Sequence, residues 1–175
     1  TPEPSATPTA TPTPAPTIDA RRVVYPTEPG TIVLQVGQSE TEQDGPAWEE
    51  MNGTPYLTVY GDGRVLASPR LHAAVDVLHE VRVDDARIQS WLVPITYDVQ
   101  LFTLAERYDH PDSDHFAAHV YVRYGPDEGQ SKRVSIGGLR RWLDDPLPDV
   151  PDAARVRLLA ERLVALGAFT TGLDA

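Results

Sequence analysis

The sequence predicts an α+β fold, an antiparallel sheet of about five strands with two helices packed on one face, and three observations carry that reading. Residues 55–67 and 115–136 each show side chains alternating in polarity on either side of a glycine-bearing turn, the pattern of a β-hairpin. Residues 84–97 and 152–166 carry apolar side chains at helical spacing. Strand runs interrupted by single helices imply helices laid on an antiparallel sheet.

The elements follow in order. Thr31, Ile32, Val33, Leu34, Gln35, Val36 and Gly37 are rich in β-branched residues and flanked by glycine, which fits a buried strand. Residues 38–54 are polar, carry Gly45, Pro46 and Gly53, and read as a long loop. Tyr56 to Tyr60 alternates, with Leu57 and Val59 on one face and Tyr56, Thr58 and Tyr60 on the other. Gly61-Asp62-Gly63 then turns the chain into Arg64-Val65-Leu66-Ala67, because glycine supplies positive φ and aspartate tolerates it. Residues 78–83 form another candidate strand whose pairing the sequence does not show.

Asp84 or Asp85 caps a helix with Ile88, Trp91 and Leu92 at i, i+3 and i+4. Pro94 falls near its end, and a kink carrying the helix on toward Tyr97 is expected. Leu101-Phe102-Thr103-Leu104 leads into residues 109–114, a polar surface loop. Residues 115–124 alternate, with Phe116, Ala118, Val120 and Val122 inward and His115, Ala117, His119, Tyr121 and Arg123 outward. Gly125 to Gly129 turns the chain, and residues 132–136 return. A short turn or helix follows over 139–147. From Asp152 the residues Val156, Leu159, Leu163 and Leu166 mark an amphipathic helix, with Gly167 as its expected stop.

Composition sets the surroundings. The first seventeen residues hold six Thr, six Pro and three Ala, with Glu3 as their only charge. Such a segment has too little apolar surface to offset the entropy of ordering, so residues 1–20 read as a disordered Thr/Pro-rich stalk and residues 21–175 as a single domain. Without Glu3 the rest keeps 25 acidic and 15 basic residues, a net charge of −10. That balance argues against nucleic acid and against direct docking on an anionic membrane. Absence of cysteine removes disulfides, thiolate metal ligands and cysteine nucleophiles. No stretch approaches the ~18 apolar residues of a membrane span. A Thr/Pro tract of this kind is characteristic of surface-exposed chains, and it places the domain outside the cytoplasm, at the cell surface or in the periplasm, with a lipid anchor expected upstream of Thr1 as the only link to membrane.

The unit Pro55-Tyr56-Leu57-Thr58-Val59-Tyr60-Gly61-Asp62-Gly63-Arg64-Val65, followed by the helix from Asp84, the Leu101-Phe102-Thr103-Leu104 step and a closing amphipathic helix, resembles an uncharacterised family of bacterial lipoprotein domains with a Tyr-Gly-Asp-Gly hairpin. The likeness spans roughly residues 31–169. It implies a cell-envelope lipoprotein and brings no established chemistry.

Two clusters remain as candidate sites. Tyr56, Thr58 and Tyr60 of one hairpin and His119, Tyr121 and Arg123 of the other are residue types enriched at interfaces. If both sets lie on the side of the sheet away from the helices, they form an aromatic, partly basic platform on an acidic domain. The expected role is then non-catalytic: binding a protein or small molecule of the envelope, or envelope architecture, without a cofactor. The second cluster is Asp109, His110, Asp112, Asp114, His115 and His119. His110, Asp112, Asp114, His115 and His119 support an alternative, a metal-binding protein or metal-dependent hydrolase. On a helix His115 and His119 could share one Zn²⁺; on a strand they lie roughly 13 Å apart at ~3.3 Å per residue, too far without a partner strand. A proteinaceous inhibitor presenting the loop over residues 38–54 is a further alternative.

Overall fold

A computed structural model of the chain describes residues 21–40, 55–68, 78–112, 116–126, 129–145 and 147–174. The expected stalk, Asp114 and His115 lie outside the described residues, as does most of the expected inhibitor loop. Among the described residues, seven strands form one open sheet: β1 (Ile32–Glu40), β2 (Leu57–Tyr60), β3 (Arg64–Ala67), β4 (His79–Arg82), β5 (Arg107–Asp109), β6 (Phe116–Tyr124) and β7 (Gln130–Gly137). Their order is β4-β3-β2-β1-β6-β7-β5. The helices are α1 (Asp85–Val93), α2 (Leu139–Asp144) and α3 (Ala153–Thr171). The class is α+β, with two more strands and one more helix than expected.

Every neighbouring pair is antiparallel except β5 and β7, which run parallel with Arg107 opposite Ser135 and Asp109 opposite Gly137. β5 is three residues long and its partner lies far along the chain, so no local alternation marks it. Asp109 therefore ends a strand; it does not open a surface loop. β1 is central, and Gln38 to Glu40 extend it along β6 where a loop was expected, because Ala118, Ala117 and Phe116 offer an open ladder edge there. One register shift against β2 inserts Val33, which is as buried as Leu34 beside it.

The turn between β2 and β3 uses its glycines for two different reasons. Gly63 has φ of 84°, the left-handed region. Gly61 is needed for space, since a Cβ there would overlap the carbonyl oxygen of Pro26 at 1.9 Å. The N-terminal segment that presses on this turn is also tied to α1: Gln89 donates to the Val23 carbonyl at 2.8 Å and accepts from the Val23 amide at 2.9 Å, and the Tyr25 hydroxyl donates to Asp85 at 2.7 Å.

Asp84 is the N-cap of α1, its carboxylate accepting from the Arg87 amide at 2.8 Å. Proline lacks the N–H that would continue α1, and the chain passes through Pro94 as one π turn, residues Pro94–Asp98, closed by the Val99 amide on the Pro94 carbonyl at 3.0 Å. The helix does not stop at Gly167. α3 runs on to Thr171, because Phe169 and Thr170 still pack inward and the Thr170 hydroxyl donates to the Gly167 carbonyl at 2.7 Å. Leu34, Val36, Leu57, Val59, Val65, Val120, Val122, Val134 and Ile136 share one face of the sheet by register, and they form one core with Ile88, Leu92, Trp142, Val156, Leu159 and Leu163 of the helices.

Candidate functional site

The other face of the sheet gathers the platform residues. Strand register runs one row across six strands: Glu80, Leu66, Thr58, Gln35, Tyr121 and Arg133 stand opposite one another in turn. A second row joins Gly37, His119, Ser135 and Arg107. The side chains of Thr58 and Tyr121 are thus on the same side of the sheet, bridged by Gln35, whose amide reaches the Thr58 hydroxyl at 3.4 Å. Alternation adds Arg123 beyond Tyr121, and Arg64 opposite Arg82.

Among the described strand residues this face carries more basic than acidic side chains, although the chain carries net −11. Arg64, Arg82, Arg107, Arg123 and Arg133 all fall on it by register, against Glu80 and Asp109 from the same strands. The arginines engage the tyrosines. Arg123 donates to the Tyr121 hydroxyl at 3.0 Å, the Arg133 guanidinium lies 5.9 Å from the Tyr121 ring, and that of Arg64 lies 4.3 Å from the Tyr60 ring. Arg107 pairs with Asp109 at 2.6 Å and Arg82 with Asp62 at 3.7 Å.

The expected platform is not uniformly open. Tyr60, Tyr121 and Arg123 are half-buried, but Tyr56, Thr58 and His119 are buried. Alternation assigns a face and says nothing of depth: Thr58 and His119 sit on β2 and β6, either side of central β1, and both are buried. Burial pushes the Tyr56 phenol up. His119 is 1 % exposed, and its pKa is lowered to about 4 by desolvation first and then by the Arg133 and Arg107 charges. Its imidazole is therefore neutral at neutral pH.

The His/Asp cluster is divided by the fold. His110 follows Tyr108, which faces Ile136 and the core, and lies edge-on to Trp142 at 5.6 Å and 88°. His119 faces the opposite side. Both nitrogens of His110 are committed: Nδ1 accepts from the Asp112 amide at 3.2 Å, so Nε2 carries the proton and donates to the Asp145 carbonyl at 3.1 Å. The imidazole read as a metal ligand thus fastens the end of β5 to α2. Asp112 is brought near His110 only through its backbone. Among the described residues no group of three His, Cys, Asp or Glu side chains converges on a point where a metal ion could sit.

What the sequence did not single out is the arginine content of the second face. Arg64, Arg82, Arg107 and Arg133 come from four strands scattered over seventy residues, and only the register brings them together. Comparison of the chain with protein families, with curated proteins and with solved structures returns no match. Among the described residues no helix is long and apolar enough to cross a membrane.

Proposed function

We propose that this chain is a non-catalytic binding domain of a bacterial envelope lipoprotein, held outside the cytoplasm on its Thr/Pro-rich N-terminal segment, and that it takes an anionic, hydroxyl-bearing ligand on the sheet face turned away from α1, α2 and α3. The observation that carries the reading is the gathering of Arg64, Arg82, Arg107, Arg123 and Arg133 on one face of an acidic domain. Guanidinium groups present planar donor forks that match carboxylates. Tyr121 adds a flat apolar surface on which a sugar ring can lie, and Gln35 and Ser135 add polar groups beside it. A carboxylate-bearing glycan meets all three features. The Thr/Pro composition of residues 1–17 supports the extracytoplasmic part of the proposal.

The test is titration calorimetry of the full chain with a galacturonate oligomer. Saturable binding is expected, weakened at least about tenfold by Arg133→Ala combined with Arg123→Ala and weakened again by salt. Equal binding by the double variant, or no binding, contradicts the proposal.

A further inference from the structure

A second site lies in the helical layer, away from the arginine rows. Arg87 and Trp91 of α1, Ile95 of the π turn, and Arg162, Leu166 and Phe169 of α3 line a cleft of about 240 Å³. Their spacing explains it: 87, 91 and 95 repeat every four residues, and 162, 166 and 169 fall on one face of α3, so two helix faces meet along a seam. The seam is not filled to the surface. Trp91 and Phe169 meet with ring centroids 5.1 Å apart at 60°, and the Arg87 guanidinium lies 5.3 Å from one ring and 5.2 Å from the other.

Charge decides what the cleft accepts. Among the described residues neither Arg87 nor Arg162 forms an ion pair, and Glu161, the acid next to Arg162 in sequence, is paired with Arg157 at 3.4 Å. The Nε of Arg162 is shielded from solvent without a hydrogen-bond partner. A buried donor left unsatisfied is costly, and an acceptor delivered to it by a ligand removes that cost. Two uncompensated guanidinium groups beside two aromatic rings, in a chain of net charge −11, complement a ligand that is anionic at one end and apolar at the other. The volume lies below the roughly 300 Å³ at which drug-sized pockets begin, so the ligand is small.

We propose that the α1–α3 cleft binds a small amphipathic carboxylate, its head on Arg87 and Arg162 and its aromatic or branched body against Trp91 and Phe169. The site is independent of the sheet-face reading. The experiment is calorimetry of the full chain with 3-phenylpropionate, with 3-phenylpropan-1-ol as the same body without charge and propionate as the same head without a ring. The acid binds saturably with a dissociation constant at or below about 1 mM, and each control binds at least about tenfold more weakly. Arg162→Gln and Arg87→Gln each weaken the acid at least about tenfold, whereas Arg133→Ala on the sheet face leaves it unchanged. Arg87 is exposed and Arg162 half-buried, and the glutamine variants fold, which an unchanged Tm verifies. Equal binding of the alcohol, binding that survives both substitutions, or absence of binding up to about 10 mM overturns the proposal.

Discussion

Trp142→Ala lowers the unfolding free energy by about 3–5 kcal/mol, the cost of removing a large aromatic side chain from a close-packed interior. Trp142 is fully buried, and its indole N–H donates to the Gly137 carbonyl at 3.1 Å. The same carbonyl accepts the His110 amide at 3.2 Å, so the end of β7 holds both the chain leaving β5 and the start of α2. His110 leans edge-on against the indole and ties Asp145 to Asp112. Removing the indole thus opens a cavity and loosens three elements together. Urea unfolding at neutral pH checks this through the shift in midpoint at constant slope. Trp142→Phe, which keeps most of the volume and loses the N–H, costs less, about 1–2 kcal/mol. A loss below about 1 kcal/mol for the alanine variant contradicts the packing described.

The second large effect is a stability loss on mild acidification. His119 has a folded-state pKa of about 4 against about 6.5 in the unfolded chain, with desolvation as the main cause. The unfolded state therefore binds more protons between these values, and stability falls as the pH drops through about 6.5. The contribution is fully present above that pH; about 2 kcal/mol of it is gone at pH 5, and the loss levels off near 3 kcal/mol once the folded pKa is passed. Carboxylates titrate at the lower end of this range, so the informative comparison is between the parent and His119→Gln at pH 8 and pH 5. The parent loses about 2 kcal/mol more than the variant. Parallel pH profiles contradict a buried neutral imidazole at this position.

Much of the fold was legible because it is written in local periodicity. Alternation over residues 116–124, the glycine turns at 61–63 and 125–129, the Asp84 cap and the apolar stripes of α1 and α3 each specify an element from its own residues. The elements that escaped depend on distant partners. β5 is three residues made into a strand by β7, and α3 passes Gly167 because residues beyond it have a core to face. The candidate site was legible to the same depth. Period-two alternation put Tyr56, Thr58 and Tyr60 on one face of their hairpin and His119, Tyr121 and Arg123 on one face of theirs; that the two faces coincide follows only from the register, which sets Gln35 between Thr58 and Tyr121. The burial of Thr58 and His119 is not encoded in alternation, which assigns a face and no depth. The proximity of His110 and His119 in sequence was misleading in the same way, since the fold sends their side chains to opposite faces.

The central claim is that the two faces of this sheet are assigned different work, one to the core and the other to an anionic ligand. An amide ¹H–¹⁵N shift map of the full chain titrated with a galacturonate oligomer tests it most directly. The account predicts shifts concentrated at Gln35, Tyr60, Tyr121, Arg123, Arg133 and Ser135. Shifts centred on α1 and α3, or none at saturating oligomer, would contradict it.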